Sequence, residues 1–419
     1  LVLPGAAWRK GKKKLLLLAA SLTLLTLHAV LGLAITSRWD DFSTLVWGMI
    51  SAGLSFLLLH REVTRWDEPI LAPLALLYSV GWFEVWRLDP ELATKQGVWL
   101  IAAALAAALL TRKLPRVNWL ERHRQALLAG GILLLFSALL FGTEVNGAKL
   151  WLRFGPFSFQ PIEIVKILLV IVLASFWRRF RLWLAFSKDR QSDRLPRRGM
   201  LVLLLGWVMG LAILVVQRDL GMALLLIGVL FTLFYVTMGR RELVILGVSA
   251  FFAASAVAVL VFDHVRIRIR AWWDPFKFGE TDGYQMVQGL YAIADGGPWG
   301  RGMFLGRPYL IPEAHNDFIL VAISHELGWL TAMVVVLCCA YLGYYFFQLA
   351  QTGRGSFRTL LLTGLASLWC IGCFIIIGGT TKVIPMTGLT LPFVSYGGSS
   401  LLSNVLLVAL IAKCGRHGS

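Results

Sequence analysis

The feature that most constrains this chain is the recurrence of long apolar runs, such as 15–35, 200–216 and 329–347, joined by mostly short connections. A helix rises about 1.5 Å per residue and a bilayer core is about 30 Å thick, so roughly 20 apolar residues cross it. One such run could be a buried helix of a soluble protein, but one soluble core cannot enclose so many. Spans are read at 15–36, 42–59, 69–86, 95–111, 125–142, 162–177, 200–216, 219–238, 243–262, 318–348, 358–378 and 400–413. The composition agrees: 15% of residues are charged and the mean hydropathy is +0.73, whereas soluble domains carry about 25% charged residues. The expected fold is all-α, a polytopic integral membrane bundle of about twelve transmembrane helices.

A formal net charge of +17 would suggest nucleic acid if it were spread evenly, but it is not. Alternate connections are basic: Arg9 to Lys14, Arg61 and Arg65, Arg112 to Arg124, Arg178 to Arg198, Arg240 and Arg241, Arg354 and Arg358, then Lys413 and Arg416. Asp40, Asp41, Asp89, Glu91, Glu144, Asp274, Glu280 and Asp282 fall on the intervening side. This positive-inside pattern expects both termini in the cytoplasm and explains the charge without nucleic acid. The first apolar run exceeds a signal-peptide core and reads as an anchored helix. Cys338, Cys339, Cys370, Cys373 and Cys414 lie in spans or at the cytoplasmic end, as packing thiols rather than a disulfide framework.

The longer connections carry the polar groups. The basic stretch 178–199 reads as a surface near anionic lipid headgroups. Stretches 143–163, 264–317 and 378–400 all fall on the non-cytoplasmic side, where loops held by a rigid scaffold concentrate chemistry. In the first, Lys149 and Arg153 precede Glu163 and Lys166, which share a helix face three residues apart as an ion pair or a polar floor. Asp219 stands where it would cap the helix that follows, or act directly.

In the second, Arg266, Arg268 and Arg270 alternate, which puts them on one side of an extended segment or spreads them round a helix end; guanidinium groups suit phosphate. Asp274, Glu280, Asp282, Gln285, His315 and Asp317 follow. Carboxylates beside Arg and aromatic residues are the ingredients of general-base catalysis, and equally of a solvated acidic loop. His325 and Glu326 lie inside an apolar stretch, where a lone His is more often hydrogen-bonded core. In 385–400, Ser395, Gly397, Gly398 and Ser399 belong to a Pro- and Gly-punctuated segment. Non-helical backbone at membrane depth needs protein or a wet cavity to satisfy it, so a re-entrant segment is expected, with the glycines permitting close backbone approach. No P-loop, dinucleotide fingerprint or zinc spacing occurs.

In this order, the segment 146–166, Asp219-Leu220-Gly221, Gly283-Tyr284-Gln285, His315 to Phe318, Glu326-Leu327-Gly328 and Pro385 to Ser400 resemble the SEDS family of FtsW, RodA and SpoVE proteins. The resemblance runs from about residue 70 onward and implies a core of about ten helices (69–419), preceded by a basic segment and two additional helices (1–68). It implies a peptidoglycan glycosyltransferase in the bacterial cytoplasmic membrane that polymerises lipid II and releases undecaprenyl diphosphate. A class B penicillin-binding protein would be its partner, and Mg or Mn a candidate cofactor for which no ligand cluster stands out. Catalytic candidates are Asp282, Asp274 and Glu280, because Phe278 holds the place of the family's proposed aspartate. His325-Glu326 replaces the usual paired glutamates. Rival readings are a flippase for the lipid-linked precursor and a non-catalytic scaffold.

Overall fold

The computed structural model describes residues 41–63, 69–114, 116–145, 148–186, 197–217, 219–242, 245–249, 259–260, 262–351 and 357–415, with Val30, Ala34 and Ala256 besides. The expected span 15–36 and much of 243–262 therefore lie outside the described residues, as do 187–196 of the basic stretch. Helices run over α1 (Phe42–Val63), α2 (Leu71–Leu88), α3 (Pro90–Lys113), α4 (Asn118–Arg122), α5 (Arg124–Phe141), α6 (Pro161–Phe186), α7 (Arg197–Val216) and α8 (Leu220–Met238). They continue with α9 (Asp263–Trp273), α10 (Tyr284–Gly296), α11 (Ile319–Glu326), α12 (Gly328–Gln351), α13 (Phe357–Thr380) and α14 (Gly398–Gly415). Among the described residues, α1, α3, α5, α8, α12, α13 and α14 are long and apolar enough to cross a membrane. The protein is a multi-pass, mostly helical membrane protein.

Two local expectations need correction. The fold is not purely helical, because β1 (Thr143–Val145), β2 (Ala148–Phe154) and β3 (Phe157–Phe159) form an antiparallel sheet in the order β1-β2-β3. The alternating Leu-Trp-Leu-Arg-Phe sequence of β2 suits a pleated strand, and a two-residue Gly155-Pro156 turn pairs Phe154 with Phe157. The stretch read as one span over 318–348 is broken: α11 ends at Glu326 and α12 restarts at Gly328, whose φ of 86° is a left-handed conformation that suits glycine.

The chain divides into two compact units. The first comprises Leu1–Thr111, Arg270–Leu342 and Ile376–Ala412; the second comprises Arg112–Ile269, Gly343–Ile375 and Lys413–Ser419. At the centre of the first unit is α2, buried on every face from Leu77 to Arg87. Its indoles are anchored on both sides, with Trp82 donating to the Ala93 carbonyl at 3.0 Å and Trp86 to the Thr44 hydroxyl at 2.8 Å. A second apolar nucleus joins Met286 and Ala292 of α10 to Phe318, Val321 and Ala322 around α11. The hub of the second unit is α6, which packs against α5, α7 and α8 and buries Val165 and Leu169 to Ala174.

Candidate functional site

In the first unit, three stretches far apart in sequence are tied together by hydrogen bonds. The 381–397 segment is non-helical, as expected, and 391–395 of it are buried. Ser395 is the knot: its hydroxyl accepts from the Leu391 amide at 2.9 Å and donates to the Asn316 carbonyl at 2.6 Å, and its own carbonyl accepts from the Gln96 side chain at 3.3 Å. The Tyr396 amide donates to the His315 carbonyl at 2.8 Å, and the two rings meet edge to face. Gln285, at the start of α10, donates to the Pro312 carbonyl at 2.9 Å. Glycine is required on both sides of this knot. A Cβ on Gly398, which opens α14 beside buried Gly397 and Ser399, would overlap the Trp99 indole, and one on Gly81 of α2 would overlap the Val394 backbone. Half-buried Asp317 lies between the tied Asn316 and the core residue Phe318.

The expected catalytic loop is a tight turn. Asp274 follows α9 and accepts from the Lys277 amide at 3.3 Å. The Phe278 carbonyl accepts from the amides of Thr281 at 3.0 Å and Gly283 at 2.9 Å, so this position holds the turn through its backbone. Asp274, Glu280 and Asp282 are all exposed, as is Arg270.

At the other end of α10 from this open turn, Asp295 joins an ionic network of which the sequence reading recognised only one end. Glu326 is fully buried and pairs with Arg87 of α2 at 3.0 Å; Arg87 also reaches the Gly306 carbonyl and lies over the Phe304 ring. Glu84, one turn earlier on α2 and wholly buried, feels both Arg87 and Glu326. His325 contacts Asp295 at 3.1 Å, and Arg301 donates to the same carboxylate. These two hydrogen bonds, Arg301's the stronger, hold the exposed Asp295 carboxyl down to about 2. The signal for Glu84 and Arg87 was present: two ionisable residues at i,i+3 within an apolar run.

A separate cluster forms in the second unit. Glu163 and Lys166 are buried and pair at 2.5 Å, the ion pair that their spacing expects. Asp219 caps α8 by accepting from the Met222 amide at 3.0 Å, and it feels the charges of Glu163, Arg268 and Lys166. Two of the motif segments, with Arg268 of α9, thus share one electrostatic neighbourhood. The alternating arginines are not on one face: α9 is a helix, in which residues two apart point in nearly opposite directions. Arg266 is used locally, on Asp263 and on the Val259 and Leu260 carbonyls. Lys149 sits opposite Glu144 in the sheet, and Arg153 is exposed opposite Ser158. Among the described residues, no group of three or more His, Cys, Asp or Glu is gathered to hold a metal ion.

A multi-pass bundle with polar loop motifs locked to its helices defines the class. Residues 70–419 match the FtsW, RodA and SpoVE cell cycle protein family, and the chain belongs to that family. It is 36% identical over 432 residues to the peptidoglycan glycosyltransferase RodA of Mycobacterium tuberculosis, spanning 96% of this chain and 90% of that protein. FtsW of Geobacter metallireducens is 30% identical over 376 residues, spanning 85% of this chain and 96% of its own. Among solved structures, a chain from a study of how a peptidoglycan synthase complex coordinates polymerization and crosslinking superposes with a TM-score of 0.68 at 26% identity, covering 84% of this chain and 98% of that one. Rod shape determining protein RodA of Thermus thermophilus gives 0.60 at 25% identity, covering 84% and 97%.

Proposed function

We propose that this chain is a peptidoglycan glycosyltransferase that polymerises lipid II at the outer face of the bacterial cytoplasmic membrane, in cell-wall synthesis for division or cell shape. The observation that carries this reading is the knot in the first unit, where Gln285, His315, Asn316 and Ser395 draw three motif segments of the family together on a rigid frame. In the reaction, an acceptor sugar hydroxyl attacks the anomeric carbon of a lipid-linked glycan. The new C–O bond forms as the bond to the diphosphate breaks, and undecaprenyl diphosphate leaves. A carboxylate of the 274–282 turn takes the hydroxyl proton; Asp282 is the leading candidate, then Asp274 and Glu280, all of them exposed. Arg270, exposed on α9 in the same unit as the turn, is the cation offered to the diphosphate as charge develops on it.

The full chain is read with about twelve spans and cytoplasmic termini. Its partner is read as a class B penicillin-binding protein, which would cross-link the strands, since a relative of this fold works in a synthase complex. The test is polymerisation of lipid II by purified protein, wild type beside Asp274→Ala, Glu280→Ala and Asp282→Ala. Polymer from wild type that is lost in at least one variant supports the reading. Polymer unaffected by all three removes the loop-carboxylate mechanism. No polymer with lipid II flux across vesicles favours a flippase, and neither activity favours a scaffold.

A further inference from the structure

At the opposite end of the second unit from the sheet, Arg178 and Arg124 meet Glu121, and Arg179 stands beside Arg124. α5 and α6 pack side by side and antiparallel, with Gly131 beside Val165 and Leu168, and with Glu121, just before α5, meeting Arg178 of α6. From Pro161 to Arg178, α6 rises about 26 Å. That is close to the roughly 30 Å of a bilayer core, so when the sheet stands at one polar boundary these arginines stand at the other.

The charges there do not balance. Buried Glu121 accepts from Arg178 through its carboxylate and from the Arg124 guanidinium through its carbonyl at 2.8 Å. Arg179 is close enough to Arg124 to repel it. The Nε atoms of both Arg124 and Arg179 are covered and have no hydrogen-bond partner among the described residues. Among the described residues, the one carboxylate is taken by Arg178, and the Arg124 and Arg179 guanidiniums crowd together with donors left over. A phosphate, with several acceptor oxygens that match the guanidinium fork, supplies what is missing.

We propose that Arg124, Arg178 and Arg179 bind the phosphate group of an anionic membrane lipid. The depth of the cluster favours a headgroup phosphate over a free ion. Arg179→Gln is the informative change, because it removes no hydrogen bond or ion pair found among the described residues. The test is thermal unfolding of the full chain in neutral detergent, titrated with phosphatidylglycerol, phosphatidylcholine or inorganic phosphate.

Wild type is expected to be stabilised by phosphatidylglycerol and not by phosphatidylcholine. Arg179→Gln should melt higher than wild type without lipid, because the repulsion on Arg124 is relieved, and its affinity for phosphatidylglycerol should fall about tenfold. Arg179→Lys, which keeps the charge and loses the fork, should lose about threefold. Arg240→Gln with Arg241→Gln removes two exposed charges elsewhere and should change affinity by less than about twofold. A shift with inorganic phosphate as large as with lipid, lost in Arg179→Gln, upholds the phosphate site and gives it to a free ion. Equal responses of wild type and Arg179→Gln to phosphatidylglycerol, or an equal loss in the Arg240 and Arg241 variant, overturn the proposal.

Discussion

Two polar regions of the first unit are built on opposite plans. Where Glu84, Arg87 and Glu326 meet, every charged group is covered, and each is held by a partner or a neighbouring charge. In the 274–283 turn the backbone is tied down while the carboxylates of Asp274, Glu280 and Asp282 stay open. Buried charges that lose a partner pay a large desolvation penalty, so the first plan fixes the frame. Exposed carboxylates cost nothing to leave unpaired, so the second plan leaves groups free for a substrate. Stability and chemistry are therefore expected to separate when the two regions are mutated.

The sharpest separation is expected in the turn. Asp282→Asn, Glu280→Gln or Asp274→Asn should lower lipid II polymerisation by about 10²–10⁴-fold for whichever carboxylate is the base. The same variants should leave unfolding free energy within about 0.5 kcal/mol of wild type. A loss of stability matching the loss of activity would break the comparison.

Arg87→Met should act the other way. It leaves Glu326 buried and unpaired, at a cost of about 3–5 kcal/mol, and joining it to Glu326→Leu should recover part of that, as read by thermal unfolding in detergent. Between the two plans stands Ser395→Ala, which removes one buried and one part-buried hydrogen bond and should cost about 1–3 kcal/mol. In the second unit, Asp219→Ala removes a helix cap and should cost about 1 kcal/mol.

The smallest effect concerns pH. Hydrogen bonds from Arg301 and His325 place the Asp295 carboxyl at about 2, below the roughly 3.9 of a free aspartate. Its contribution to stability is then present above about pH 4 and lost as pH falls towards 2. Melting temperature measured across that range should decline less steeply in Asp295→Asn than in wild type.

Much of the candidate site was legible in the sequence wherever its logic was local. The Glu163–Lys166 pair follows from a spacing of three on a helix, and the Asp219 cap from an acidic residue ahead of an apolar run. The non-helical 385–397 segment and the tight fit at Gly398 follow from Pro and Gly placement. What escaped was long-range. Nothing local joins Arg87 to Glu326, His325 to Asp295 or Ser395 to Asn316.

By itself the sequence determined that this is a membrane bundle, because the length and hydropathy of a run depend on that run alone. It also determined which segments are polar enough to carry chemistry. Only the tertiary structure decided which charges are spent on holding helices together and which remain open. That choice depends on which helices become neighbours, and a buried charge must find its partner wherever packing places one.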